Sequence, residues 1–239
     1  MSARRPKLGD VVAALEGCYG AQDPPLLNDP WDPILWENVA YLANDTKRAA
    51  AFQLLKESVG TQPEQILAAP DAALLAVARH GIMPQGSAKK LRDCARILLD
   101  KFGGSLAGLG ALSLQTAKKA LRKFPGLGET GAEKILLFAG IHRLPASDSN
   151  GLRVMIRLGF GEESANYTAM YRSAQKDVSA ELLPEAGWLI LAYQLLRLHG
   201  QEICRRNRPE CEQCVLTDSC RYYSESASLT SGQGQGMLK

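Results

Sequence analysis

The sequence predicts an all-α fold, and three observations support this prediction. Apolar residues recur at helical spacing in seven segments. Stretches rich in glycine and proline separate those segments, and no segment alternates apolar and polar residues as a half-buried strand would. The chain has 239 residues, which is long enough for one large or two small domains.

The predicted helices follow one another from residue 47 onward. Their ranges are 47–59, 70–80, 85–102, 112–123, 130–142, 163–180 and 182–198. The breakers between them read GTQP, GIMPQG, FGG, FPGLG and RLPASDSNG, and both glycine and proline disfavour a continued helix. Residues 224–239 lose aromatic side chains and are rich in Ser, Gly and Gln, so we expect a disordered tail.

The composition is that of an ordinary soluble globular protein, with 46% hydrophobic and 22% charged residues. No run of about 18 apolar residues predicts a membrane-spanning helix. The first residues, MSARRPKLGD, are basic but precede no apolar stretch, so we expect no signal peptide and a cytoplasmic location, at the nucleoid if the source is bacterial. The net charge of +3 is only weak evidence for a nucleic-acid partner.

Four of the six cysteines form a loop with the spacing C-x6-C-x2-C-x5-C; they are Cys204, Cys211, Cys214 and Cys220. In a reducing compartment, clustered cysteines bind metal more often than they form disulfides. Thiolates suit zinc or an iron–sulfur cluster, and a structural zinc site usually has two C-x2-C pairs, whereas this loop has one. We therefore expect a [4Fe–4S] cluster, with zinc as the alternative. The remaining Cys18 and Cys94 lie among apolar residues, and we expect both in the core.

A glycine-rich turn lies between two predicted helices in the segment LRKFPGLGETGAEKILLFAG. Gly126 and Gly128, on either side of Leu127, allow positive φ and a close backbone approach to a ligand. The free N–H groups at the start of the following helix predict a phosphate site, and the alternative is a plain helix–turn–helix corner. Thr130 and Glu133 fit a T-x-x-E capping box, which predicts the start of that helix.

This turn, the segment SDSNGLRV and the cysteine loop follow one another in an order that resembles the helix-hairpin-helix DNA glycosylase superfamily of the endonuclease III and MutY type. The resemblance covers residues 28–222. It implies two helical lobes with a DNA-binding cleft between them: a six-helix barrel at 28–143, and an iron–sulfur cluster lobe formed by 1–27 with 144–223. The implied partner is double-stranded DNA with a damaged or mismatched base that is flipped out of the stack. We expect a monomer.

The same resemblance assigns the catalytic residues. Asp148 matches the family's catalytic aspartate, and Asn150 resembles the D-x-N of the MutY type. A carboxylate near C1′ stabilises the positive charge that develops on the sugar as the N-glycosidic bond breaks. Bifunctional members carry a lysine two residues after the last hairpin glycine, and this chain has Thr130 there. We therefore expect a monofunctional glycosylase; Lys134, one helical turn further along, is the alternative nucleophile.

Four arginines are candidate DNA contacts. Arg153 matches an arginine that follows the family's catalytic aspartate. Arg205, Arg206 and Arg208 lie in the cysteine loop, where bound metal would hold them in place for phosphate contacts. The alternative for these three is a solvated charged loop.

Three further positions bear on how DNA is held. Asn44 resembles, by position, a glutamine that fills the gap left by the flipped base; the alternative is a polar residue at a helix end. Ile82 or Met83 is a candidate intercalating wedge, with core packing as the alternative. Glu37 lies about a turn before the position at which the MutY type has an acidic residue.

The resemblance therefore implies a base-excision repair glycosylase that hydrolyses the N-glycosidic bond without lyase activity. Two alternatives remain: a non-catalytic DNA-binding protein of the same fold, and a bifunctional glycosylase/AP lyase that uses Lys134. The excised base is open among uracil or thymine in a mismatch, a misplaced or deaminated purine, and an alkylated base.

Overall fold

The computed structural model describes residues 5–22, 29–181 and 185–232. Within these residues all regular structure is helical and no strand is present, as the sequence predicts. The α-helices are α1 (Leu8–Tyr19), α2 (Trp31–Val39), α3 (Asp45–Ser58), α4 (Pro63–Ala68), α5 (Asp71–Ala78), α6 (Pro84–Phe102), α7 (Leu114–Leu121), α8 (Glu129–Phe138), α9 (Ser149–Leu158), α10 (Tyr167–Ser179), α11 (Ala186–Glu202) and α12 (Arg221–Gly232). Across the described ranges, no helix combines the length and the apolar character that crossing a bilayer requires.

The chain divides into two compact units. The terminal unit consists of Met1–Pro24 with Arg143–Lys239, and the central unit is Pro25–His142. The terminal unit therefore contains α1 and α9 to α12, and the central unit contains α2 to α8.

The central unit packs around α6, against which α2, α4 and α5 lie. The buried face of α6 repeats every three or four residues and consists of Ser87, Ala88, Leu91, Cys94, Ala95 and Leu98. Arg92 ties α6 to its neighbours, because its guanidinium donates to the carbonyl oxygens of Leu67 (2.9 Å) and Ala69 (2.7 Å) at the end of α4. Cys94 is fully buried, as predicted.

In the terminal unit, α1, α9, α10 and α11 contribute to one shared core, and α9 packs against α10, α11 and α12. Helix α1 contributes Leu8, Val11, Val12 and Leu15, which form one apolar stripe. The prediction that Cys18 is a core residue is wrong: its thiol is exposed, because the stripe continues to Tyr19 and leaves residue 18 on the solvent side.

Two further expectations differ from the structure. Residues 221–232 form α12, so the expected disorder does not apply to 224–232; helix formers such as Glu, Ala and Leu occur among these serines, and α12 packs on α9. Residues 233–239 lie outside the described part. The predicted capping box is also wrong, since the backbone N–H of Ala132 donates to the carbonyl of Gly128 and α8 therefore begins at Glu129, before Thr130.

Candidate functional site

The hairpin turn between α7 and α8 depends on Gly126, which has φ +77°. A Cβ at this position would lie 2.8 Å from Oδ1 of Asn38, a buried side chain on α2. Gly128 has φ −85° with open space around it, so positive φ, predicted for both glycines, occurs only at Gly126. Leu127 turns its side chain into the core, which leaves only backbone groups of this residue for a ligand.

A buried ion triad holds the two helices of the hairpin together. Lys118 on α7 is 7% exposed, and its Nζ lies 2.9 Å from Glu129 Oε1 and in direct contact with Glu133 Oε1. Burial alone would lower the pKa of Lys118, but hydrogen bonds from its ammonium to Glu133 and Glu129 outweigh that effect and raise the pKa. Glu133 thus pairs with α7, and does not cap α8.

A second ion pair lies beside the position at which bifunctional relatives carry a lysine. Thr130 is half-buried on the first turn of α8, and Lys134 follows one turn later on the same face. The Nζ of Lys134 contacts Oε1 of Glu37 on α2, and both side chains are mostly buried.

Two neighbouring loops of the central unit expose large apolar side chains. Leu42 is 68% exposed and Ile82 is 66% exposed, and Tyr41 and Met83 beside them are also exposed. The loops are joined by a hydrogen bond from the Ile82 N–H to the Tyr41 carbonyl (3.1 Å). We call these four residues the apolar loop pair. Core packing of Ile82 and Met83, the alternative considered from the sequence, is therefore wrong.

Leu42 was not singled out from the sequence, although it has φ +51° and is the most exposed of the four. A positive φ is uncommon in a leucine and marks a constrained turn. Asn44, two residues later, is the N-cap of α3, where its Oδ1 accepts a hydrogen bond from the Lys47 N–H at 2.9 Å. The helix-end role of Asn44 is thus present, and Leu42 is the exposed side chain of this loop.

In the terminal unit, Asp148 is the N-cap of α9, as its position before the helix suggests. Its Oδ1 accepts hydrogen bonds from the N–H groups of Asn150 and Gly151, both at 2.9 Å. Its Oδ2 accepts from Asn150 Nδ2 (3.3 Å) and pairs with Arg197 Nε (3.2 Å). Four donors therefore orient this carboxylate, which remains partly exposed to solvent.

Asn150 connects Asp148 to the cysteine loop through Arg153. The guanidinium of Arg153 donates to Asn150 Oδ1 (2.9 Å), to the Gly200 carbonyl (2.6 Å) and to the Cys204 carbonyl (2.8 Å). Burial lowers the pKa of Arg153. Arg153 thus serves an internal network where we had expected a DNA contact, because it lies on the face of α9 that packs against α11.

The four cysteines of the loop line one pocket, together with Arg157, Tyr222 and Tyr223. Arg157 donates to Cys204 Sγ (3.3 Å) and to the carbonyl oxygens of Arg205 (2.8 Å) and Arg206 (3.2 Å). Burial raises the pKa of Cys214 to about 11, and binding to metal would remove that proton. Within the described ranges, no three His, Cys, Asp or Glu side chains already form a site for a single metal ion.

The three arginines of the cysteine loop are exposed. Arg205 pairs with Glu210 at 2.9 Å, and Arg208 has φ +56°. Arg157 organises the cysteine loop and Arg197 organises Asp148, but neither arginine was singled out from the sequence. Their partners lie roughly 50 residues away along the chain, so no local pattern indicates these contacts.

No protein-family model matches the chain. Endonuclease III of Sulfolobus acidocaldarius is 27% identical over 186 residues, which are 77% of this chain and 78% of that protein. Thymine-DNA glycosylase of Aeropyrum pernix is 24% identical over 212 residues, 86% of this chain and 89% of that protein.

Two solved structures share the fold. A non-covalent endonuclease III–DNA complex superposes with a TM-score of 0.73 at 18% identity and covers 92% of this chain and 97% of that one. A thermostable thymine-DNA glycosylase superposes with a TM-score of 0.72 at 19% identity and covers 91% and 97%. With its hairpin, Asp148 cap and cysteine loop in this chain order, the chain is similar in sequence and in fold to DNA glycosylases of the helix-hairpin-helix superfamily that includes endonuclease III.

Proposed function

We propose that the chain is a DNA glycosylase of base-excision repair that hydrolyses the N-glycosidic bond of a flipped, damaged or mismatched base. The observation that carries the proposal is Asp148, a partly exposed carboxylate oriented by Asn150, Gly151 and Arg197. Relatives named endonuclease III and thymine-DNA glycosylase support the same class of activity.

Asp148 acts on the charge that develops during bond cleavage. As the base leaves with the bonding electron pair, the sugar acquires positive charge at C1′, which a fixed carboxylate stabilises. Water then adds to C1′ and gives its proton to a base, a role that the free lone pairs of Asp148 can fill. Asn150 and Arg197 contribute by holding the carboxylate, so that little reorganisation is required during the reaction.

Two observations support a monofunctional enzyme. Thr130 offers a hydroxyl where bifunctional members have an amine. Lys134, the alternative nucleophile, is engaged in an ion pair with the Glu37 carboxylate, which it would have to leave in order to attack C1′.

The DNA contacts that we propose lie on both units. The backbone of Gly126, Leu127 and Gly128 and the first N–H groups of α8 bind a phosphate. The apolar loop pair supplies the wedge, since exposed apolar side chains can enter a base step. Arg205, Arg206 and Arg208 add charge that favours phosphates.

The four thiols suit a [4Fe–4S] cluster. All four line one pocket, and two of them already receive N–H···S contacts: Cys204 from Arg157, and Cys214 from the Leu216 N–H at 3.4 Å. When bound, the cluster would hold the loop together, and the cleavage of the glycosidic bond would not require its redox chemistry. Zinc remains the alternative that metal analysis distinguishes.

The test is a panel of duplexes, each with one lesion or mismatch, scored for base release and for borohydride-trapped adducts. We expect release from at least one duplex, including uracil or thymine mispairs, and no trapped adduct.

Asp148→Asn should slow release by at least about a hundredfold while DNA binding persists, given the effect of one preorganised charge. Asp10→Asn, an exposed site on α1, is the matched control.

Release from no duplex would contradict the glycosylase proposal and favour a DNA-binding protein. A trapped adduct with the unmodified chain would contradict the monofunctional assignment, and its loss in Lys134→Met would identify the nucleophile.

A further inference from the structure

A buried histidine outside the Asp148 network contacts the cysteine loop. His199 lies on the last turn of α11 and is 2% exposed. Its Nε2 lies 3.4 Å from Cys214 Sγ, and its Nδ1 lies 2.9 Å from the hydroxyl oxygen of Tyr19 at the end of α1. The Tyr19 ring meets the imidazole edge-on, with 6.0 Å between the ring centroids. Both nitrogens of His199 are therefore engaged.

The chemistry of a metal-bound cysteine determines where the protons lie. A cysteine that ligates iron or zinc is a thiolate, which can only accept a hydrogen bond. The Nε2 of His199 must then carry hydrogen and donate to Cys214. In a neutral ring Nδ1 is the acceptor, so the Tyr19 hydroxyl donates to it. Metal at Cys214 thus fixes one tautomer, and Tyr19 supports that tautomer from the opposite side.

The backbone of His199 contacts the loop as well. Its carbonyl accepts hydrogen bonds from the N–H groups of Ile203 (3.0 Å) and Cys204 (2.8 Å). One residue therefore positions two of the four cysteines: Cys204 through the backbone, and Cys214 through the ring.

We propose that Tyr19 and His199 form a hydrogen-bond relay onto Cys214 that stabilises the metal-bound loop and raises the reduction potential of its cluster. The inference rests on the cluster assigned under the proposed function. An N–H···S bond withdraws negative charge from the thiolate, which favours the more electron-rich reduced cluster. The same bond fixes the orientation of the ligand, which strengthens retention of the metal. The relay also makes α1, from the beginning of the chain, part of the surroundings of the cluster. Tyr19 and His199 are positioning residues and take no part in the cleavage of the glycosidic bond.

The test compares the full chain with three variants, all purified without oxygen. His199→Leu removes both bonds, Tyr19→Phe removes only the supporting hydroxyl, and His199→Gln retains an N–H that can reach sulfur. Tyr167→Phe, on α10, is the control for loss of a tyrosine hydroxyl. The readouts are iron per chain, the chelator concentration that removes half of the iron, and the midpoint potential for one-electron reduction by dithionite with mediators.

We expect His199→Leu to release half of its iron at a chelator concentration about tenfold lower than the parent does. Loss of an outer partner of a metal ligand typically lowers metal affinity by about that factor. Its potential should be more negative. Tyr19→Phe should shift both readouts in the same direction by less, and His199→Gln should stay near the parent. Because Tyr19→Phe keeps the ring in place, it tests the relay even if His199→Leu fails to fold.

Parent-like chelator and potential values in both Tyr19→Phe and His199→Leu would overturn the relay. The iron content of the parent tests the cofactor separately. If the parent carries zinc, the cluster assignment fails, and the relay is judged from zinc release in the same variants. If the parent binds neither metal, the cluster assignment and the relay both fail, while the glycosylase proposal is tested separately by base release.

Discussion

At the scale of single residues, the hairpin depends on Gly126. Gly126→Ala combines a φ of +77° with a Cβ placed 2.8 Å from Asn38 Oδ1, which itself sits in a buried position. We expect the free energy of unfolding to fall by about 1–3 kcal/mol, the typical cost of such strain. DNA affinity should fall as well, because the turn would have to move. Urea unfolding and binding to an undamaged duplex measure the two effects.

Gly128→Ala is the matched control, two residues away. Its φ of −85° is accessible to alanine, and a Cβ there meets nothing within 4 Å. Its stability should stay close to that of the parent. Equal losses in the two variants would show that the requirement for glycine comes from something other than the backbone conformation and the contact with Asn38.

Residue identities that follow from local spacing could be predicted, and their partners could not. The cysteine spacing and the D-x-N segment are visible along the chain, and so is the tendency of Asp148 to cap a helix. Arg153 shows where prediction fails: its position after Asp148 suggested DNA, but its guanidinium donates to the carbonyl oxygens of Gly200 in α11 and of Cys204 just after it. Such acceptors are distant in sequence and have no local signature.

At the scale of elements, Lys118 links α7 to α8. Lys118→Met leaves the buried Glu133 and the partly exposed Glu129 without this cation, and breaking a buried pair typically costs about 3–5 kcal/mol. We expect a loss of that order in urea unfolding at neutral pH. Lys119→Met, on the exposed side of the same helix, is the control and should change stability little.

The pH dependence of the same variant has a definite sign. The pKa of Lys118 is raised in the folded state above its ordinary value of 10.5, so the ion triad stabilises the fold fully below pH 10.5. That contribution is lost as pH rises through the higher folded pKa. The stability difference between parent and Lys118→Met should therefore narrow above pH 10.5. A difference that grew with pH would contradict the assignment.

The effect of the apolar loop pair on base release can be measured apart from any effect on stability, because its side chains are exposed. Leu42→Ala and Ile82→Ala remove side chains that are 68% and 66% exposed, so unfolding should change by less than about 0.5 kcal/mol. Base release from a duplex should nevertheless slow by roughly tenfold, if these side chains occupy a base step and offset its unstacking. Val215→Ala, an exposed apolar site in the terminal unit, is the control. Unchanged release in both variants would remove the apolar loop pair from the proposed DNA contacts.

At the scale of the whole molecule, periodicity predicted seven of the twelve α-helices in the described residues and missed α1, α2, α4, α9 and α12. Helices α3, α5 to α8, α10 and α11 have clear apolar faces, and their predicted ranges overlap the observed ones. Helix α4 has six residues, too few for a periodic signal, and its end is held by Arg92 of α6. Helix α9 begins inside a segment rich in Ser, Asp and Asn that reads as a loop, because the capping residue is itself a turn former.

The cysteine loop gives the last prediction at this scale. Cys211→Ser removes one of the four thiols that line the pocket, so we expect iron to fall well below about four per chain. The loop is tied to α9 through Arg153 at the Cys204 carbonyl and through Arg157 at the Arg205 carbonyl. Loss of metal should therefore speed hydrogen exchange in residues 204–220 and at the start of α9, where Asp148 lies. Base release should fall as the metal is lost, although residue 211 is not part of the Asp148 network.

Helix α6, with its own core in the central unit, is the internal reference for exchange. Cys18→Ser, which changes an exposed thiol, is the control variant. Full iron retention would contradict the role of Cys211 as a ligand. Unchanged exchange at α9 after iron loss would show that the loop and the Asp148 carboxylate are held independently.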